Sequence, residues 1–151
     1  MIVREATKKD IRQMHLVRCS VNENRLSNPN IITREDYEVY LSTRGKGWVV
    51  EINNEIVGFA IVDLTANNVW ALFIQPGYDR KGLGKLLHDK MINWYFNKTV
   101  KTIWLSTTAN TRAENFYKLA GWEQNGLQPN GELRFEMSAG HWREINKQKL
   151  N

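Results

Sequence analysis

The chain reads as a mixed-sheet α/β protein with helices on both faces of its central sheet. Three observations predict this. Strand-like runs and helical periodicities alternate in the order β-α-α-β-β-β-α-β-α-β over 151 residues. One long amphipathic stretch, residues 82–98, separates strand-like runs at 69–74 and 102–107, the length a parallel crossover needs. Hydrophobic residues make up 42 % and charged residues 25 %, so a single domain spanning 1–151 can bury a core without disulfide or metal staples.

Residues 2–6 form the first strand. Thr7 and Asp10 make a capping box with Asp in the acidic position, and Ile11, Met14, Val17, Arg18 and Val21 follow at helical spacing, the arginine being the polar exception. Residues 22–32 are loop. Thr33 and Asp36 repeat the cap, and Tyr37, Tyr40 and Leu41 form the apolar side of a second, short helix that Gly45 and Gly47 break. Strands at 48–52 and 56–63 are joined by Asn53-Asn54-Glu55, a hairpin-type connection, and the strand at 69–74 follows an Asn67-Asn68 turn. In 82–98, Leu83, Leu87 and Met91 recur every four residues with Leu86, Trp94 and Tyr95 beside them. A strand at 102–107 precedes a helix at 111–120. That helix opens with a full capping box from Thr111 to Glu114 and closes at Gly121, the place for a left-handed cap. Residues 132–138 are the last strand, and 141–151 are expected to be a fraying polar tail.

A single cysteine, Cys19, excludes a disulfide within one chain, and no Cys/His zinc spacing exists, so no metal is expected. Cys19 is expected as a small buried hydrophobe, His15 as a rim residue, and His88 and His141 at the surface. The N-terminus has no apolar leader and no run approaches the ~20 apolar residues of a membrane span, so a cytoplasmic protein without a membrane partner is expected. The net charge of +5 favours anionic partners. Its basic residues are scattered from Arg4 to Lys149 without a nucleic-acid motif, which argues against nucleic acid.

Chemistry concentrates where the strand at 69–74 runs through Gln75-Pro76 into the long helix. Helix N-termini present unpaired N–H groups and partial positive charge, Gly82 and Gly84 allow close anion approach, and Arg80, Lys81 and Lys85 add charge. A diphosphate fits this arrangement. A Walker A loop and a dinucleotide G-x-G-x-x-G are both absent. Taken alone, the two glycines are also compatible with a tight helix–sheet contact.

Arg80-Lys81-Gly82-Leu83-Gly84, after a strand and Pro76, resembles motif A of the GNAT N-acetyltransferases, [QR]-x-x-G-x-[GA]. The stretch from Asn110 to Trp122 resembles their motif B, N-x-x-A-x-x-F-Y-x-x-x-G-[FW]. The order of elements resembles the family core over nearly the whole chain. Asp79 departs from the motif, standing where the family has Gln or Arg, and its carboxylate is expected to point outward.

The resemblance implies a GNAT-like acyl-CoA N-acyltransferase fold and acetyl-CoA as co-substrate, bound across the strands at 69–74 and 102–107. Amides from Arg80 through Lys81, Gly82, Leu83, Gly84 and Lys85 would hold the diphosphate. Backbone groups of Leu72, Phe73 and Ile74 would pair with the pantetheine arm, and Asn110 would hydrogen-bond the cofactor. Tyr117 would protonate the leaving thiolate after direct attack by an amine. Read without the family, Tyr117 is an amphipathic core tyrosine with its hydroxyl at the rim, and Asn110 a turn residue before a cap. On the acceptor side, Glu23 is a candidate base, with Asn24 beside it and Trp70 as a candidate wall. Glu132, Arg134 and Glu136 form a charged strand face that either lines the acceptor pocket or is simply solvated. The acceptor amine is unreadable. A homodimer is open, as is a CoA-binding sensor that has lost turnover.

Overall fold

Four strands in the N-terminal part of the chain pair in sequence order: β1 (Ile2–Glu5), β2 (Gly45–Ile52), β3 (Glu55–Asp63) and β4 (Asn68–Ile74), each antiparallel to the next. The computed structural model describes residues 1–150, with side chains through Lys149. Its contacts divide the chain into two units, Met1–Tyr95 and the part from Phe96 onward. The hairpin between β2 and β3 is tighter than expected. Asn53 and Asn54 both take positive φ (52° and 65°) and Ile52 pairs with Glu55, a two-residue connection whose twist suits the strands. Gly45 and Gly47 do not break a helix here; both lie within β2. A Cβ on Gly45 would sit 1.8 Å from the Val62 carbonyl oxygen, and one on Gly47 would sit 2.5 Å from Leu41 Cδ2. Close approach explains these glycines.

Two helices cover one face of this sheet. A single 3₁₀ turn (Lys8–Asp10) leads into α1 (Ile11–Ser20), and α2 (Arg34–Leu41) follows the loop. Ile11, Met14, Val17 and Tyr37 pack there against Val49, Ile56, Phe59, Ile61 and Ala71. Full burial of side chains such as Met14 and Phe59 contributes about 1.5–3 kcal/mol each. The opposite face takes α3 (Leu83–Lys98): Trp48, out of phase with Val49 along β2, meets Trp94 edge-on at 5.7 Å. The Tyr95 hydroxyl donates to Asn67 Oδ1 (2.8 Å), and burial pushes its pKa up to about 12.

Both predicted capping boxes of this unit form. Thr7 and Asp10 cap the 3₁₀ turn, and Thr33 and Asp36 cap α2. Arg4 ties β1 to that first cap and to β2, donating to both Asp10 oxygens (2.8 and 2.9 Å) and to Glu51. Asp10 is only 5 % exposed. Arg4→Ala strands its carboxylate, so a loss of about 2–3 kcal/mol is expected, after allowing for the partial exposure of Arg4. Thermal unfolding checks this as a fall of roughly 5–10 °C.

The second unit holds β5 (Ile103–Thr107), α4 (Arg112–Leu119), β6 (Glu123–Leu127), β7 (Leu133–Met137) and α5 (Ala139–Leu150). Strand β7 pairs antiparallel with both β5 and β6. Its alternation is as expected: Leu133, Phe135 and Met137 are buried. Two elements depart from expectation. Strand β6 was not foreseen, because Glu-Gln-Asn-Gly-Leu is exposed throughout and carries no apolar alternation. The expected polar tail is instead α5. Ser138 Oγ accepts the His141 N–H (3.1 Å) at its start, Trp142 is 3 % exposed, and the His141 ring donates through Nε2 to the Gly121 carbonyl (2.8 Å). His141 therefore locks the tail to the end of α4 instead of facing solvent. Gly121 has the left-handed φ (97°) predicted for it, and a Cβ there would meet Ile145 Cδ1 at 2.5 Å.

Two further expectations are corrected. His88 is fully buried on α3, its Nδ1 against Asp89 (2.9 Å), where the surface was expected. Cys19 is exposed, not buried, because α1 turns it away from the Met14–Val17 stripe. No described helix is long and apolar enough to cross a membrane. Among the described residues, no group of three His, Cys, Asp or Glu could hold a metal ion.

Candidate functional site

The turn from β4 into α3 is built to leave donors open. Gln75 accepts the Tyr78 N–H (3.0 Å), Arg80 takes a left-handed φ of 62°, and Gly82 follows at 79°. Helix α3 then starts at Leu83, and Leu86 N–H is bonded back to the Gly82 carbonyl (3.1 Å). The N–H groups of Leu83, Gly84 and Lys85 therefore precede any intrahelical acceptor. Nothing lies within 4 Å of where a Cβ on Gly82 would be, so the approach to this turn is clear. Left-handed residues before a helix N-terminus make a concave donor surface suited to an anion. A diphosphate fits these residues.

Side-chain charge around the turn is distributed differently from expectation. Asp79 Oδ1 accepts the Gly77 N–H (3.3 Å), so the carboxylate is turned onto its own loop. Lys81 lies 5.6 Å from the Tyr78 ring centroid. Lys85 instead reaches down its own helix to both oxygens of Asp89 (2.7 Å each). Burial pushes the Asp89 carboxyl up, but hydrogen bonds from His88 and Lys85 outweigh it and hold the pKa at about 2. Lys85 thus arrives as half of an ion pair, which leaves its backbone N–H, not its side chain, at the open turn.

Strand β4 offers alternate backbone groups. Gln75 N–H donates to Val57 O (2.7 Å), which makes 75/57 a bonded pair in the β3–β4 register, and the two-residue period makes Phe73/Phe59 another. Phe73 therefore spends its N–H and C=O on β3. Leu72 and Ile74 direct theirs away from β3, so of the three predicted residues Phe73 is the one whose backbone β3 already uses. A β-bulge sits beside them: Ile61 pairs with Ala71 and Val62 with Val69, leaving Trp70 as the extra residue. The bulge brings Trp70 to the same face as Phe73. There it stacks on Tyr40 (4.1 Å) and meets Tyr37 edge-on (5.5 Å).

Tyr117 and Asn110 belong to the second unit. Asn110 is left-handed (φ 63°) and its N–H donates to Glu114 Oε1 (2.8 Å). The predicted capping box is therefore shifted: Thr111 Oγ1 accepts Glu114 N–H, but Glu114 answers one residue earlier, at Asn110. Lys118 and then Asn110 hold the Glu114 carboxyl below its ordinary range. Tyr117 is 6 % exposed among Phe116, Trp122 and Phe135, and burial pushes its phenol well above the ordinary value.

A model of the "Acetyltransferase (GNAT) family" matches residues 9–122. The chain belongs to the GNAT acetyltransferases. Within that family, it is 34 % identical over 80 residues to a [ribosomal protein bS18]-alanine N-acetyltransferase of Haemophilus influenzae, covering 52 % of this chain and 55 % of the relative. The GNAT chain thus spans about half the length of the curated relative it matches. Its fold is shared with a ribosomal-protein-alanine N-acetyltransferase from Brucella melitensis (TM-score 0.74, 17 % identity, 91 % of this chain and 99 % of that one). It is shared also with the paia N-acetyltransferase of Thermoplasma acidophilum, solved with coenzyme A (TM-score 0.76, 14 % identity, 91 % and 98 %).

The acceptor-side candidates of this GNAT chain fall in both units. Glu23 is exposed in the loop after α1, beside the left-handed Asn24 (φ 57°). Glu132 lies just outside β7, accepting from Asn130 Nδ2 (2.7 Å). Arg134 and Glu136 are turned on one another (3.0 Å), with the guanidinium over Trp104 (4.4 Å). Asn125 and then Arg134 hold the Glu136 carboxyl below its ordinary range. Sequence reading passed over Arg18 as a mere polar exception on α1. Its guanidinium lies 4.2 Å over the Phe73 ring, on the Trp70 face of β4.

Proposed function

We propose that this GNAT chain is an acetyl-CoA-dependent N-acetyltransferase. The observation that carries the reading is the β4–α3 turn: left-handed Arg80 and Gly82, an open approach, and three first-turn N–H groups without intrahelical acceptors. Its backbone would take the diphosphate. Leu72 and Ile74, whose backbone groups face away from β3, would take the pantetheine arm. Asn110 would add a side-chain contact to the cofactor.

The amine nitrogen would attack the acetyl carbonyl carbon directly. Negative charge would gather on the carbonyl oxygen, within reach of a β4 backbone N–H as donor. The C–S bond then breaks, and the thiolate takes the Tyr117 proton, which burial keeps on the phenol until that moment. The attacking nitrogen loses a proton to Glu23 or to water, and solvent restores the phenol. The Haemophilus relative is named for acetylating an alanine of a ribosomal protein, which supports placing α-amines first in an acceptor screen.

Thermal unfolding with acetyl-CoA, with short duplex DNA as control, tests the reading. Ligand at about 100 times its dissociation constant stabilises by about 2.7 kcal/mol. For a chain of this size that is roughly 5–10 °C. A shift with DNA alone would overturn it in favour of a basic binding module. A shift with acetyl-CoA but no CoA release with any amine would favour a sensor.

A further inference from the structure

We propose that Arg18 is the acceptor-recognition residue of this chain, and that the amine it selects carries a carboxylate, as a free amino acid does. The proposal rests on acetyl transfer as read above and adds the substrate class.

Arg18 sits on α1, where Ile11, Met14 and Val17 are buried against the sheet. Its Nη1 is shielded from solvent and makes no hydrogen bond among the described residues. Its guanidinium covers Phe73, flanked in β4 by Leu72 and Ile74, the two residues proposed to bind the acyl donor. The same aromatic face carries Tyr37, Tyr40 and Trp70. His15 closes it: Nε2 lies 2.9 Å from Pro29 O and Nδ1 2.8 Å from the Tyr37 hydroxyl. Those contacts occupy both nitrogens of the His15 ring.

Other arginines of this unit that are drawn inward have their own carboxylates. Arg4 has Asp10 and Glu51, and Arg44 has Asp63. Arg18 has none. Desolvation is the first influence on its guanidinium and lowers its pKa, and no carboxylate is among the groups acting on it. A half-buried cation whose shielded Nη1 has no partner costs stability. A protein keeps one where a ligand completes the pair, and a planar carboxylate matches the guanidinium fork in two parallel hydrogen bonds. Phe73 fixes the fork from below by a cation–π contact, so the donors are already oriented. The carboxylate on Arg18 and the acyl donor along β4 would leave the amine of an amino acid between them.

CoA release from acetyl-CoA is measured with the common amino acids and, in parallel, with their carboxamides, for wild type, Arg18→Lys and Arg18→Met. Wild type is expected to favour at least one amino acid over its amide by about 30-fold or more in kcat/KM, mainly through KM, as loss of one partner of a partly buried charge pair predicts. Arg18→Met brings that ratio close to one. Arg18→Lys lies between, keeping the charge without the fork. Arg18→Met is also expected to melt no lower than wild type, because methionine keeps the alkyl packing and removes an unpaired charge. Equal turnover of acids and amides would overturn the proposal. So would a ratio unchanged in Arg18→Met, or no turnover of any amino acid while acetyl-CoA still shifts the melting point. Absence of any acetyl-CoA shift would instead sink acetyl transfer itself, and this proposal with it.

Discussion

Gly84→Glu is expected to abolish acetyl-CoA binding without unfolding the protein. Gly84 is the second residue of α3, and its N–H is one of the three that precede any intrahelical acceptor. A glutamate there puts a carboxylate beside the donors proposed for the diphosphate, so like charges oppose one another at short range. The same carboxylate complements the positive end of the helix, which favours the folded state by a few tenths of a kcal/mol and offsets any packing cost. Acetyl-CoA affinity should fall by about 100-fold or more, which is roughly 3 kcal/mol. Calorimetric titration reads the affinity, and the unliganded melting temperature reads the fold. Unchanged affinity would move the diphosphate to another part of the chain.

Tyr117→Phe should lower kcat by about 100-fold, the lower range for a positioned acid, with acetyl-CoA affinity little altered. The ring contacts with Phe116, Trp122 and Phe135 survive the change, so stability should move by about 1 kcal/mol at most. The pH profile is a second check. Because burial raises the Tyr117 pKa, its acid form persists through the range in which the acceptor ammonium deprotonates. The wild-type rate should therefore climb with pH and show no alkaline fall from this residue below about pH 10. Wild-type turnover in the phenylalanine variant would remove Tyr117 from the mechanism and leave water to protonate the thiolate.

Much of the site was legible because its signals are local. Gly82, the helix start after Pro76, and the Asn110-to-Trp122 pattern each depend on neighbours within a few residues. The caps at Thr7, Thr33 and Thr111 are legible for the same reason: the side chain and the N–H it captures lie three residues apart. The hydrophobic period of α1 and the alternation of Leu133, Phe135 and Met137 are equally local, and both gave the correct buried face.

What escaped depends on pairing across distance. Strand β6 has no apolar pattern and exists because β7 supplies its hydrogen bonds. Helix α5 owes its place to Trp142 and to His141 reaching Gly121, twenty residues away. His88 looked like a surface histidine until Asp89 and the buried side of α3 claimed it. Gly45 and Gly47 read as breakers because the approach of Val62 and Leu41 cannot be seen along one strand.

The sequence by itself determined the order of elements from β1 to α4, the capping threonines and the shape of the β4–α3 turn, since each is set by chemistry within one or two helical turns. The tertiary structure decided three other things. It turned the backbone groups of Leu72 and Ile74, and not those of Phe73, away from β3, through the β3 register. It brought Trp70 to the Phe73 face, through a bulge that shifts the two-residue period by one. It laid Arg18 over Phe73 without an acidic partner. Register, bulges and buried charge are settled by which strand or helix lies opposite, and a residue's neighbours in sequence carry no record of that.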